Sequence, residues 1–437
     1  MRRATAVFYT LVALDIRDKR EYNKNVISFK ERSASVYKLS NKEIEEKIPE
    51  YILAAMERFR LCGEEAFIVG GSLRDIMLCI EPHDFDLASS ALPERTAELF
   101  ADSRVIETGM KHGTVTVLVN KEPVEITTFR IDGSYTDARH PDGVSFTRNI
   151  REDLSRRDFT VNAMAYNPHT GLVDPWGGRE DLCRKTLRAV GDPKKRFSED
   201  ALRIMRAFRF ASQLGFDIEE QTLLGARECR DGLEKIARER ICSEFLRLLS
   251  SDGVARSLRL MAENGILPFV SNGYEPSERV ISNIEKMPCD PIARLGFFLC
   301  EADRERATEI LNGLKCSNKQ KIGALAVARG ARMSVQSEAD ARRFIGNVGE
   351  YAKYAIRASV LLGSSPCEAI ELVEKNNSAC SVSELKISGR ELTALGFSGK
   401  EIGKTLELLL GAVIEDPDLN GREELIALAK KIKEEIK

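Results

Sequence analysis

Ile68-Val69-Gly70-Gly71-Ser72-Leu73-Arg74-Asp75, followed nine residues later by Asp84-Phe85-Asp86, is the stretch that decides how the first half of this chain folds. Ala66-Phe67-Ile68-Val69 reads as a short buried strand. Two glycines at its end let backbone approach a ligand where a Cβ would collide. A helix opening at Ser72 then aims free N–H groups and the positive end of its dipole at that spot, which suits a polyphosphate. Arg74, one turn in, adds a guanidinium whose fork fits phosphate oxygens. Asp84 and Asp86 alternate with Phe85 and Leu87, so on a strand both carboxylates leave by one face while the apolar partners enter the core. Two hard oxygen donors about 7 Å apart along a strand make a cation site of the Mg2+ type.

Working outward, Val124-Glu125-Ile126-Thr127-Thr128-Phe129 alternates as a strand, with Glu125 and Thr127 facing opposite Ile126 and Phe129. Thr114 to Val119 alternates in the same way, and the two are expected to pair as a hairpin through Asn120-Lys121-Glu122-Pro123. Glu125 would then sit across the sheet from Asp84 and Asp86 as a third carboxylate. A polar loop, Ile131 to Asp142, leads to Arg156-Arg157-Asp158-Phe159-Thr160-Val161-Asn162-Ala163-Met164, whose donors and acceptors flank apolar anchors and could hold ribose hydroxyls and phosphates. Each piece alone has a plain structural reading: a turn, a solvated strand end, a helix start. Their order and spacing argue for a joint site.

The second strong segment is Ser198-Glu199-Asp200-Ala201-Leu202-Arg203-Ile204-Met205-Arg206-Ala207-Phe208-Arg209-Phe210-Ala211. At helical periodicity Ala201, Ile204, Met205, Phe208 and Ala211 form one arc, and Arg203, Arg206 and Arg209 step along the opposite one. Leu202 and Phe210 lie among the arginines, so this basic face is expected to meet a ligand or partner rather than water alone. Asp200 and Arg203 stand one turn apart, near enough to act as a unit.

These motifs, in this order, resemble those of the class II tRNA nucleotidyltransferase and bacterial poly(A) polymerase family. Glu239-Arg240-Ile241-Cys242-Ser243-Glu244-Phe245 is similar to that family's next neck motif. Ile387-Ser388-Gly389-Arg390-Glu391-Leu392, Leu395-Gly396-Phe397 and Glu401-Ile402-Gly403-Lys404 resemble the tail of its CCA-adding members, those without an HD domain. The resemblance runs from about Tyr51 to the C-terminus. It implies a polymerase-beta-like α+β head with a mixed or antiparallel sheet, then an all-helical neck, body and tail.

For chemistry, the resemblance implies that Asp84 and Asp86 hold two Mg2+ ions, with Glu125 near the attacking 3′-hydroxyl of a tRNA. Gly71 and Arg74 match positions at the triphosphate, and Arg157 and Asp158 match positions near the ribose. Asp200 and Arg203 match the residues that read the incoming base, and Arg206 and Arg209 continue that nucleotide-binding helix. A donor and acceptor check agrees: cytosine and adenine each offer an amino donor beside a ring-nitrogen acceptor, which suits an aspartate beside an arginine. Uracil and guanine would set a carbonyl against the carboxylate, and unpaired buried polar groups cost roughly 1 to 3 kcal/mol each.

Within the family, Gly109-Met110-Lys111-His112-Gly113-Thr114 stands where poly(A) polymerases carry a Gly-Arg-Arg-Phe-like segment, which favours tRNA maturation. Tyr135-Thr136-Asp137-Ala138-Arg139-His140-Pro141-Asp142 supplies the loop that enzymes adding only cytidines lack. His140 departs from the more usual Arg. The implied activity is addition of C, C and A from CTP and ATP, with A-only addition or poly(A) synthesis as alternatives, and a homodimer compatible with it.

Composition agrees without choosing. The 437 residues suit about three domains, which we expect at 46–185 (head), 186–270 (neck) and 271–437 (body and tail). The ten cysteines have no Cys-x-x-Cys spacing, so a reducing cytoplasm is expected and a zinc site is not. A net charge of −2 means that RNA contact must come from local basic patches, such as Arg184 to Arg196. No run is apolar enough to span a membrane. Arg2-Arg3 and Ala6 to Leu14 only imitate a signal peptide, since Asp15 and Arg17 follow without a cleavage site; residues 1–45 are expected to be a disordered or optional extension. Two readings of another class stay open. A silent RNA-binding module is weakened by the complete set of carboxylates. A metal phosphohydrolase built on His83-Asp84 is disfavoured, because only four histidines exist.

Overall fold

The computed structural model describes residues 39–133, 144–364, 369–371, 373, 376 and 378–436. The chain divides into two compact units, which meet in sequence between Glu275 and Pro276. The expected head and neck fall together in the first. The N-terminal extension as far as residue 38, and loop residues 134–143 with His140, lie outside the described residues.

The first unit is built on a seven-stranded sheet of order β3-β4-β5-β2-β1-β8-β9. Its strands are β1 (Ala66–Val69), β2 (Asp86–Ser89), β3 (Arg104–Ile106), β4 (Thr114–Val119), β5 (Glu122–Thr128), β8 (Ala165–Asn167) and β9 (Gly171–Val173). A separate small ribbon joins β6 (Arg130–Asp132) to β7 (Val144–Phe146). The sheet is mixed: β2 runs parallel to β5, and its other pairs are antiparallel. β4 and β5 form the expected hairpin with a tighter turn than foreseen. Asn120 and Lys121 alone make it, both with positive φ (52° and 72°). Pro123 therefore sits inside β5, opposite Leu118, beyond the stretch that β2 covers. Its missing N–H costs no ladder bond to β2.

Two strand expectations are corrected. β2 starts at Asp86, and Asp84 stands in a bend before it, while Phe85 and Leu87 are buried as foreseen. Phe129 does not face away from Glu125: four residues on, it returns to the same side under a period of two. It joins a core cluster with Phe67, Val69, Ala88, Ile150 and Leu154.

Helix α1 (Gly71–Met77) follows β1 directly, and α2 (Ile150–Ser155) starts at an Asn149 cap. Then come α3 (Pro193–Glu199), α4 (Leu202–Leu214) and α5 (Arg238–Leu249). The neck is helical apart from Asp217–Ile218, which pairs in parallel with Thr186–Leu187. On α4 the apolar arc is buried as foreseen, and so are Leu202, Arg209 and Phe210 on the other side. The second unit is helical in its described part. Its last helices, Lys400–Glu415 and Arg422–Ile436, enclose a core of Leu392, Phe397, Leu409, Val413, Leu425 and Ala429.

Candidate active site

A cleft of about 620 Å³ lies within the first unit. Gly70, its first structural requirement, has φ +70° and precedes the first residue of α1. A Cβ there would come within 3.1 Å of Arg157 Nη1, so the glycine supplies both the left-handed turn and room for an arginine. Ser72 ties the turn by donating from Oγ to the Val69 carbonyl at 3.0 Å. Gly71 and Arg74 line the cleft beside it.

Asp86 and Glu125 are direct cross-strand partners of the parallel β2–β5 pair, and Asp84 lines the same end of the cleft. Burial, then the charges of Asp84 and Glu125, push the Asp86 carboxyl up to about 6 against the pull of Arg157. Among the described residues no three His, Cys, Asp or Glu side chains converge into a ready-made metal cage. The acidic platform instead suits a hard divalent cation that takes its remaining ligands from phosphates and water, as Mg2+ does. A cation there would relieve the carboxylate crowding that raises Asp86.

Arginines form the rest of the wall, each pinned by its own acceptor. Arg74 is buried; its Nη2 lies 2.8 Å from Asp75 Oδ1, and its Nη1 donates to Asn162 Oδ1 at 2.8 Å. Asn162 donates in turn to Asp158 Oδ1 at 3.2 Å, and Arg206 holds the other Asp158 oxygen at 2.6 Å. Burial opposes ionisation of Asp158, yet the Arg206 charge and the hydrogen bonds from Arg206 and Asn162 hold its carboxyl at about 2. Arg156 and Arg157 both reach back to buried Asp153 at 2.6 and 3.1 Å. That single acid, three and four residues earlier on α2, aims two guanidiniums.

At the far end Asp200 accepts from Leu202 N at 3.0 Å and from Arg240 Nη2 at 3.1 Å. Arg203 donates to Glu199 at 2.7 Å and to the carbonyls of Arg196 and Arg156. Asp200 and Arg203 thus share the cleft, each anchored by another group. Arg206 lines it too, whereas Arg209 does not: it is buried against Glu244 and Gln213. All the other expected site residues (Asp84, Asp86, Glu125, Gly71, Arg74, Arg157, Asp158, Asp200, Arg203, Arg206) are brought together.

Asn162 and Phe210 also line the cleft, on segments expected to meet a ligand, whereas sequence reasoning gave Arg240 only as part of a neck motif and passed over Arg247. Arg240 and Arg247 stand seven residues apart on α5, two turns on one face, and that periodicity was the available signal. Arg240 Nη1 is buried with no hydrogen-bond partner among the described residues. Seven arginines against five carboxylates line the cleft among the described residues, so an acidic platform is set among an excess of cationic side chains. That polarity suits a ligand carrying both a metal-bridged polyphosphate and a polar base.

Comparison with known proteins follows the same division. The model of the Poly A polymerase head domain matches residues 66–188, and that of a probable RNA- and SrmB-binding site of polymerase A matches 215–276. A CCA-adding enzyme of Lactobacillus helveticus is 50% identical over 206 residues, 46% of this chain and 51% of that one. This match therefore spans about half the length of that relative. A CCA-adding enzyme of Enterococcus faecalis is 35% identical over 393 residues, covering 84% of this chain and 92% of its own. The crystal structure of the Bacillus stearothermophilus CCA-adding enzyme in complex with CTP superposes with a TM-score of 0.72 at 28% identity, over 89% of this chain and 99% of that one.

Proposed function

Because this chain belongs to the family of CCA-adding enzymes, we propose that it adds C, C and A to the 3′ end of tRNA from CTP and ATP, releasing pyrophosphate without a nucleic acid template. The observation that carries this reading is the union, in one cleft, of the Asp84, Asp86 and Glu125 platform with Asp200, Arg203 and Arg206 on the neck helix.

The residues divide the work. Asp84 and Asp86 would hold Mg2+, which when bound supplies charge neutralisation at the triphosphate and acidifies the attacking hydroxyl. Gly71 and Arg74 receive the triphosphate, and Arg157 and Asp158 orient the ribose. The tRNA 3′-hydroxyl, beside Glu125, gives up its proton to solvent as its oxygen forms a bond to the α-phosphorus and the bond to the bridging oxygen breaks, and pyrophosphate leaves. Asp200 accepts from the exocyclic amino group of cytosine or adenine. Its oxygens each keep a free lone pair beyond the Leu202 and Arg240 hydrogen bonds. Arg203 faces the ring nitrogen, moving part of its fork from the carbonyls that hold it without nucleotide. Head, neck and tail boundaries at 46–185, 186–270 and 271–437 accompany this reading. So do a cytoplasmic setting, in keeping with ten cysteines that show no Cys-x-x-Cys spacing, and a homodimer, checked by the mass of the protein in solution. No helix of the described residues is long and apolar enough to cross a membrane.

The test is incubation with Mg2+, CTP, ATP and tRNA transcripts ending at the discriminator base, in C, and in CC. All three are expected to finish as CCA. Extension of only the CC-ended transcript would reassign the chain to A addition, a long A tail to poly(A) synthesis, and no extension would sink the enzyme reading.

A further inference from the structure

Phe210 is the residue of this cleft whose surroundings the division of labour above leaves unexplained. The guanidinium carbons of Arg209, Arg206 and Arg74 lie 3.9, 5.1 and 5.2 Å from its ring centroid. Phe159 meets the ring edge-on, with centroids 6.0 Å apart at 81°. Significant cation–π contacts occur about once per 70 to 80 residues, so three arginines around one ring is a built cluster rather than incidental packing. Phe210 is buried and also lines the cleft.

The three cations come from different places. Arg74 belongs to α1, just after the two glycines, and Arg206 and Arg209 belong to α4. Each has an acidic partner at one end: Asp75, Asp158 and Glu244. Asp158 links Arg74 to Arg206 only through Asn162, and no carboxylate binds both directly. The negative faces of an aromatic ring attract both cations, an attraction added to that of Asp75 and Asp158 which an aliphatic side chain of similar size would not supply.

We propose that Phe210 is a positioning residue that holds Arg74 and Arg206 jointly, and so sets how the phosphate-receiving and ribose-side walls of the cleft meet one nucleotide. The proposal rests on the nucleotide-transfer reading above. It deepens that reading, since Phe210 acts through the two arginines and takes no part in the bond changes.

The test uses the full chain and separates ring electronics from ring volume. Phe210→Leu is expected to raise KM for both CTP and ATP about three- to tenfold, with kcat close to that of the parent. A series in which position 210 carries phenylalanine with one, three and five ring fluorines keeps the shape while draining the ring face of negative potential. KM, and the dissociation constant of CTP by equilibrium dialysis, are expected to climb stepwise along it. A flat response to fluorination overturns the proposal, whatever happens to the melting temperature, because a ring that only fills space would be indifferent. If Phe210→Leu fails to fold, the fluorinated series decides alone. A parent that binds CTP yet never extends tRNA defeats the proposed function and leaves the dialysis result to judge Phe210.

Discussion

Asp86 shows most directly how one side chain ties stability to chemistry. Its carboxyl titrates at about 6 instead of the ordinary 3.8, because burial and then two neighbouring carboxylates disfavour the charge. A folded-state pKa above the unfolded one means that this group's stabilising contribution is complete below pH about 4 and is lost as pH rises through 6. Without metal, Asp86→Asn is therefore expected to melt higher than the parent at pH 7.5 and alongside it at pH 4. The gain is on the order of 1 to 3 kcal/mol, checked by thermal melts across that range. In turnover the sign is expected to reverse, since the ionised form is the one that would hold Mg2+. The acid limb of the rate should fall near pH 6 at low Mg2+ and move to lower pH as Mg2+ competes with the proton. A second contrast separates the cleft's ends: Asp84→Ala should abolish incorporation of every nucleotide. Arg203→Ala should mainly scramble choice among the four triphosphates. Equal loss with all four, and unchanged selectivity, would remove Arg203 from base reading.

At the scale of elements, the hairpin of β4 and β5 carries a sharp prediction. Lys121 occupies a left-handed position in a two-residue turn, where a Cβ is costly. Lys121→Gly should raise stability by about 0.5 to 1 kcal/mol, read as a higher denaturation midpoint with catalysis untouched. This hairpin also marks what was legible beforehand. Strand, double glycine, helix and hairpin announced themselves because their signals are local: period-two alternation, a turn, a cap. Asp84 was misplaced onto a strand because alternation continues into a bend that still buries Phe85. Phe129 shares the side of Glu125 because facing along an extended chain follows position and not apolar character. Asp153 was overlooked although its spacing to Arg156 and Arg157 is helical, since nothing local says that an acid is buried. Arg209 keeps its place on the basic arc of α4, but Glu244 on α5 draws it out of the cleft, and a single helix cannot reveal that.

On the scale of the whole molecule, every described residue that lines the cleft lies between Val69 and Arg247, inside the first compact unit. A chain ending at Glu275 is accordingly expected to bind CTP as tightly as the full protein, by equilibrium dialysis. Weaker binding there would mean that the second unit shapes the nucleotide site from outside. The pairing of Asp86 with Glu125 has a further consequence for how this molecule can change. Their spacing is written in a backbone ladder, so residues between Ser90 and Gly113, including a helix and an edge strand, can be lengthened or shortened without altering it. One residue gained inside β2 or β5 would instead turn an acid from the cleft toward the sheet's opposite face. Insertions and deletions in descendants of this chain should therefore crowd into the connecting segments and stop abruptly at those two strands.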